Sequence, residues 1–418
     1  MLDIKKIREE KDSIEKSLRK RLGAEALIDL DTIINLDDQR KDLIPRLESL
    51  QAEKNKLSKI KPDPETIEKI KTSSIEIKKL EEELVSLENS LKEALLALPN
   101  IVADDVVAGG KENNKVSYTF GVQPKFDFPA KNHMDLAEDL DIIDYKRAAK
   151  MSGSGFWVYK GWGALLEWAL LSYFIFYHSK NNYTFLIPPF LLNEASAYAS
   201  GHLPKFGEDL FWLKDENLCL NATAEMMLGN FHRDEILNEK DLPCRYIAYS
   251  ACFRREAGSY RQEERGMIRG HQFNKVEMFQ YTKPEKSWEA FAEMKEQATK
   301  LLESLGLHFQ ISDLAAGDCS AAMAKTVDLE VYIPSMGTYR EVSSISNALD
   351  YQARRGNIRY KASDGKNYFP HTLNASGLAT SRLIPAILEQ NQQADGSVII
   401  PEVLRPFIPG NPSIIKKA

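Results

Sequence analysis

The sequence predicts an α+β protein: a body built on an antiparallel β-sheet with flanking helices, preceded by an antiparallel coiled-coil arm of two long helices. Three observations carry this expectation. Leucine and isoleucine recur every seventh residue through much of the first hundred positions, and a pair of prolines interrupts that pattern once. Beyond residue 240, β-branched and aromatic runs follow one another, often with no helical segment between them. Heptads of this kind pack helix on helix, whereas strands in direct succession close into antiparallel sheets.

Residues 1 to about 100 contain a single glycine, Gly23, and no tryptophan. Leu36, Leu43, Leu50 and Leu57 form one heptad series, with Ile33, Leu47 and Ile60 between them. Ile70, Ile77, Leu84, Leu91 and Leu98 form a second, supported by Leu80 and Leu87. The segment Lys61-Pro62-Asp63-Pro64 separates them, because a helix interior does not hold two prolines. Two helices of about thirty residues would each run roughly 45–50 Å. Pro45 removes one helical hydrogen bond and is expected to kink the first of them. With 20 basic against 22 acidic residues in positions 1–100, charge alone gives the arm no partner beyond water and its own pairs. The arm is expected over 1–108. Gly109-Gly110 and Asn113-Asn114 mark a linker over 109–118, and the body follows over 119–418. Within the body, helices are expected near 134–150, 163–179, 222–238 and 285–305. Strands are expected near 183–187, 245–253, 273–282, 307–312, 327–333 and 338–345.

Composition narrows the class of function. The 418 residues are 43% hydrophobic and carry 55 Lys+Arg against 61 Asp+Glu, a net charge of −6. That apolar share supports real cores, and the acidic balance excludes a protein that coats DNA through a cationic excess. Cys219, Cys244, Cys252 and Cys319 include no CxxC pair, which points to neither zinc nor a disulfide framework but to a reducing compartment. The charged N-terminus lacks the apolar core of a signal peptide. The most apolar stretch, Gly163–His178, is too short to span a bilayer and carries Glu167 in its middle, so a buried helix is expected. A cytoplasmic protein without membrane or DNA partners is the resulting expectation.

The chemistry-bearing residues lie in the body. Arg254 and Glu256, two apart at a strand end, project from one face, and Lys275, Glu277 and Phe279 alternate onto one side of the return strand. Guanidinium clasps phosphate bidentately, and carboxylates orient cationic or donor groups, so this hairpin suits an anionic ligand with a polar base or an ammonium group. A solvated, salt-bridged strand pair would show the same residues. Glu341 and Ser344 are hard oxygen donors suited to Mg²⁺ on a phosphate. Arg382, on a helix after the small-residue stretch 372–381, suits a phosphate clamp. Lys150-Met151-Ser152 has no HIGH-type partner and no surrounding βαβ unit, and carries no nucleotide site.

Taken together, these segments resemble the bacterial-type seryl-tRNA synthetases, members of the class II aminoacyl-tRNA synthetases. The likeness spans the heptad arm, Leu98–Ile101, TAEMMLGNFHRDEIL at 223–237, FRREAGS at 253–259, RGMIRGHQFNKVEMF at 265–279, TVDLEVYIP at 326–334, TYREVSSISN at 338–347, HTLNASGLA at 371–379 and PEVLRPF at 401–407. The resemblance implies ATP and Mg²⁺ as cofactors and L-serine and serine tRNA as substrates, with selenocysteine tRNA as a further acceptor where one exists. It implies a homodimer through Pro188-Pro189 in motif 1, and an arm that grips the long variable region of the tRNA. Among site residues it assigns Arg254 and Arg382 to catalysis at the α- and γ-phosphates. It assigns Arg254, Arg255, Glu256, Glu341, Val342, Ser343, Ser344 and Arg382 to ATP, with Glu256 reading the adenine amino group. Thr223, Ala224, Glu225, Glu277 and Ser376 fall to serine, and Glu341 and Ser344 to the metal. The chain departs from the family pattern at Arg255, at Arg261–Glu264 in the motif 2 loop, and at Ala375 and Ser381 in motif 3. A methyl at position 375 would crowd the adenylate if the backbone approached it there. Two other readings remain at this point: a ligase that activates a small amino acid for a carrier protein, and a non-catalytic paralogue that binds partners. The long arm counts against the first, and the retained arginines and glutamates against the second.

Overall fold

The computed structural model describes residues 1–59, 63–256 and 266–417. Lys61 and Pro62 of the expected turn, and Arg261–Glu264 of the motif 2 loop, lie outside the described residues. The chain divides into two compact units, Met1–Ile101 and Val102–Ala418.

The first unit opens with two short helices that the heptads do not signal, α1 (Ile4–Glu9) and α2 (Lys11–Leu22), which bury Ile7, Ile14 and Leu18. The long helices follow as α3 (Leu30–Leu57) and α4 (Pro64–Ala97). Both begin at an aspartate whose side chain accepts a hydrogen bond from an otherwise unpaired backbone N–H. Asp29 takes that of Thr32 at 2.9 Å, and Asp63 that of Thr66 at 2.7 Å, with Pro64 at the first helical position. Leu43 and Leu47 pack against Ile77 and Leu80, so the heptad positions meet as expected. α3 runs on through Pro45 as one helix. Its buried Asp37 carboxylate is held by Arg8 of α1 at 2.9 Å, Arg40 at 2.7 Å and Lys41 at 2.8 Å.

The second unit is organised by a sheet that, among the described residues, has eight strands. They are β1 (Lys115–Phe120), β2 (Thr184–Leu186), β3 (Cys244–Phe253), β4 (Gln272–Thr282), β5 (Phe309–Asp313), β6 (Lys325–Ile333), β7 (Thr338–Leu349) and β8 (His371–Ala379), in the spatial order β1-β5-β6-β7-β8-β4-β3-β2. Every neighbouring pair is antiparallel except β2 and β3, which run parallel. Four of the ten positions expected as a linker are thus sheet: Lys115–Tyr118 belong to the edge strand β1.

Two helical expectations are corrected. Residues 134–150 form two helices, His133–Asp139 and Tyr145–Ser152, because Asp141 takes a left-handed φ of 53° between them. Residues 222–238 hold only one helical turn, Glu225–Leu228, and a short strand, Ile236–Asn238. Gly229 ends the turn, and Asp234 at φ 64° redirects the chain.

The sheet has two chemically different faces, as period-two strands require. Val276, Met278, Val327, Leu329, Ile345, Leu373 and Ala375 point to one side. There they meet the helices α5 (Trp162–Lys180), α6 (Ser287–Ser304) and α7 (Thr380–Gln390) in a fully buried core. Lys275, Glu277, Ser344, Ser346, Asn374 and Ser376 point to the other side, into a cavity. The Ala375 methyl therefore packs in the core, on the face of the sheet opposite the cavity.

Where β8 passes β4, the register slips between Ser376 and Ala379. A bulge there turns the chain from the sheet into α7. Gly377 occupies it, and a Cβ at that position would sit 2.6 Å from Nε2 of the buried His178 ring. Gly377→Ala is therefore expected to destabilise the body by about 1–3 kcal/mol. The check is a lower denaturant midpoint at unchanged m-value.

Candidate active site

The cavity on the polar face has a volume of about 450 Å³ and two chemically distinct ends. At one end lie carboxylates. Glu277 on β4 is ion-paired with Lys275, two residues before it on the same strand face, and both are buried. Lys275 Nζ also donates to Thr223 Oγ1 at 2.7 Å, and that hydroxyl lies 3.4 Å from Glu277 Oε2. Glu225 opens the short helix beside them. Its Oε1 accepts from Gln352 Nε2 at 2.6 Å, and Gln352 is itself fixed by the Thr372 hydroxyl at 2.7 Å. Burial, and then the neighbouring Glu277 charge, push the Glu225 carboxyl up from its ordinary 4.5 to about 7. His202 in the wall is lowered to about 3 by burial and by Arg254, Lys275 and Arg355, which keeps its ring neutral.

At the other end lie arginines. Arg254 is anchored by Nε donating to the Ala222 carbonyl at 3.3 Å, and its guanidinium stacks over Phe273 at 5.2 Å. Its backbone N–H donates to the His271 carbonyl at 2.9 Å, which fixes the end of β3 against the start of β4. Glu256 turns out of β3 with a left-handed φ of 52°, and its Oε2 accepts from Arg269 Nε at 2.7 Å. Arg382, in the first turn of α7, donates to the Glu341 carbonyl at 2.7 Å and lies 3.5 Å from its carboxylate.

Glu341 and Ser344 are three residues apart and would fall on opposite faces of a regular strand. Along β6, Leu329 faces Ser343 while Glu330 faces Glu341, so Val342 is the extra residue of a bulge. That bulge brings Glu341 and Ser344 onto the same wall. A second cavity of about 520 Å³ shares this wall and is bordered by Asp328, Glu330, Arg340 and Arg382. Asp328 faces Ser344 across the strands, and burial, followed by the Glu341 charge, holds its carboxyl well above the usual range.

The structure thus brings together Thr223, Glu225, Arg254, Glu256, Glu277, Glu341, Ser344 and Ser376, with Arg382 in the adjoining recesses. Four expected residues are placed differently. Val342 and Ala224 are core residues. The buried Ser343 hydroxyl donates to the Ser376 carbonyl at 2.6 Å. Arg255 has an exposed side chain, with its backbone N–H on the Asp209 carbonyl. Sequence reasoning assigned no role to Lys275, although its alternation with Glu277 was readable. It gave no signal for Gln352, which reaches Glu225 from 127 residues away.

Residues 1–102 match the seryl-tRNA synthetase N-terminal domain, and residues 211–391 the tRNA synthetase class II core domain (G, H, P, S and T). The serine–tRNA ligase 2 of Clostridium acetobutylicum is 50% identical, covering 98% of this chain and 99% of the relative. The chain belongs to the seryl-tRNA synthetase family. The serine–tRNA ligase of Thermodesulfovibrio yellowstonii is 45% identical over the same shares. Two solved structures extend the likeness to the fold. The seryl-tRNA synthetase of Pyrococcus horikoshii, complexed with ATP, is 33% identical with a TM-score of 0.91, covering 100% of both chains. The cytoplasmic serine–tRNA ligase of Naegleria fowleri, in complex with AMP, is 30% identical with a TM-score of 0.87, covering 100% of this chain and 99% of that one. The antiparallel sheet with its helical face is the class II synthetase fold, preceded here by the long helices of the family's N-terminal domain.

Glu225 has a counterpart deeper in the body. Glu167 of α5, burial being the main cause, is likewise raised to about 7. Between about pH 4.5 and 7 the folded state holds protons on both groups that the unfolded chain has released. Stability must therefore fall as pH rises through that window, by at most about 3 kcal/mol per group. Glu225→Gln should make the decline between pH 5 and pH 7 shallower in chemical denaturation, and an unchanged slope would refute the assignment.

Proposed function

We propose that this chain activates L-serine with ATP to seryl-adenylate and transfers the seryl group to the 3′ end of serine tRNA in the cytoplasm. The observation that carries this reading is one cavity with a carboxylate end and an arginine end. An amino acid and a nucleotide phosphate must meet in such an arrangement. Glu277 suits the serine ammonium group, and Thr223, Glu225 and Ser376 surround the place of its hydroxyl. A site built to bond that hydroxyl rejects alanine strongly, because its own buried polar groups would be left unpaired.

The serine carboxylate is its own nucleophile, so no side chain need attack. It adds in line to the α-phosphorus as pyrophosphate leaves, and the protein's work is positioning and charge neutralisation. Arg254 is the residue for the α-phosphate and Arg382 for the γ-phosphate. Glu256 reads the adenine amino group once it has given up Arg269. The Glu341 carboxylate and the Ser344 hydroxyl, set side by side by the bulge, fit a hard cation and would hold Mg²⁺, which would neutralise phosphate charge. A ribose hydroxyl at the tRNA end then attacks the adenylate carbonyl, losing its proton as the ester bond forms, and the acyl–phosphate bond breaks to release AMP.

Two features support the assembly. The first unit supplies a long two-helix arm for the variable region of the tRNA. Leu165, Trp168 and Phe176 present an exposed apolar stripe on α5, which Phe185 and Ile187 extend, and Trp168 is 57% exposed. A stripe of this kind suits a second copy of the chain in a homodimer. No helix among the described residues is long and apolar enough to cross a membrane.

Serine should support ATP–pyrophosphate exchange, with alanine and glycine at least about a thousandfold poorer. Exchange with glycine or alanine but not serine would overturn the assignment. Arg254→Ala should abolish exchange. Deleting residues 36–98 should spare exchange and abolish tRNA charging, so charging that survived the deletion would remove the arm from tRNA recognition. Trp168→Glu should shift the molecular mass in light scattering from two chains to one.

A further inference from the structure

We propose that Lys275 is a placeholder for the substrate's ammonium group: it holds Glu277 while the site is empty, and on serine binding turns its charge to the carboxylate that reacts. The proposal rests on the reading of the site as serine-activating and deepens it. Three observations point to it. First, the Glu277 carboxylate, the group suited to an incoming ammonium, already carries an ammonium in this structure, because Lys275 Nζ is ion-paired with it. Second, the pair is buried, with side-chain exposures of 8% for Lys275 and 3% for Glu277, so each charge is largely withdrawn from bulk solvent and relies on the other. A lone buried carboxylate is strongly disfavoured, and Lys275 removes that penalty from the empty enzyme. Third, Lys275 borders both the carboxylate end of the main cavity and the recess that Arg254 and Arg382 also line. Its long, unbranched stem pivots between these two places without moving β4.

Charge arithmetic gives the direction of the exchange. Serine enters as a zwitterion. Its ammonium needs the carboxylate that Lys275 holds, and its carboxylate must approach a phosphate of like charge. If Lys275 moves from the first to the second, every charge stays paired and the repulsion between attacking carboxylate and α-phosphate is reduced. Thr223 assists at the origin of that movement, because its hydroxyl accepts from Lys275 Nζ at 2.7 Å and can donate to Glu277 at 3.4 Å. Arg254 is tied to the Ala222 carbonyl and stacked on Phe273, and Arg382 is tied to Glu341, so neither arginine is placed to release Glu277. Lys275 acts as a positioning residue in the empty site and as a catalytic one only when it meets substrate.

The experiment is ATP–pyrophosphate exchange in the full-length enzyme, with serine varied at saturating ATP, for the wild type, Lys275→Met and Lys275→Arg. Lys275→Met is expected to lower kcat by at least about thirtyfold while the KM for serine stays level or falls, because no competing cation remains on Glu277. L-Serinamide keeps the ammonium and hydroxyl but has no carboxylate, and it should inhibit Lys275→Met more tightly than wild type. Lys275→Arg preserves the ion pair with a forked head that stays on Glu277, and should lose about tenfold or more in kcat at unchanged KM. A tenfold rise in KM with kcat retained in Lys275→Met, or full activity of Lys275→Arg, would overturn the proposal by reducing Lys275 to a structural brace. Should Lys275→Met fail to fold, the Lys275→Arg result decides alone. Absence of serine-dependent exchange in the wild type would instead sink the functional reading itself.

Discussion

The sheet of the larger unit separates oil from charge by the width of one backbone, and the rest of the body depends on that separation. Alternate residues of β4, β6, β7 and β8 enter a core closed by α5, α6 and α7. Their neighbours carry the carboxylates, hydroxyls and lysine of the cavity. The core face cannot slip by one residue, because every apolar side chain would exchange places with a polar one. The same burial that stabilises the fold therefore fixes the positions of the chemical groups to within a strand register. Ala375 shows this directly: its methyl belongs to the core, while Asn374 and Ser376 on either side of it line the cavity.

Regular alternation alone would not complete the site, and two irregularities do so. The extra residue at Val342 reverses the phase of β7, so that Glu341 joins Ser344 on one wall. The slip between Ser376 and Ala379 ends β8 and starts α7, and so delivers Arg382 to the edge of the cavity. In both cases a locally weakened ladder is compensated by burial of the flanking apolar residues, Val342 and Leu378.

Much of this could be read from the chain, and what could not has a physical pattern. The heptads of α3 and α4 and the strands from β3 to β7 follow from local periodicity, and Arg254, Glu256, Glu277 and Arg382 from side-chain chemistry, whereas Thr223, Glu225 and Ser376 are named by family resemblance alone. The segment 222–238 misled because its apolar residues occur at helical spacing, whereas Gly229 ends the helical turn and Asp234, in left-handed backbone, redirects the chain. α1 and α2 lacked a visible pattern because they are short and mostly charged, with burial confined to a few positions such as Ile7 and Leu18. Bulges have no composition signature: side-chain chemistry pairs Glu341 with Ser344 as hard oxygen donors, strand periodicity would set them apart, and the bulge at Val342 is what brings them together. Gln352, which supports Glu225, belongs to a distant helix, and single-sequence reasoning has no means of pairing the two.

The ion pairs of the cavity have a consequence of their own. Glu256 is matched by Arg269, Glu277 by Lys275, and Glu341 by Arg382. A ligand arriving there does not meet bare charge; it must displace a partner that the protein already supplies. Such a site behaves as an ion exchanger, with each bound group swapping for an internal one of the same sign. Stray ions that match only one charge gain little by entering, because they cannot rehouse the side chain they evict. A ligand that brings a cation and an anion in fixed geometry offers each displaced group a new counter-charge. Selectivity in this cavity is then set by completeness of the exchange rather than by strength of attraction.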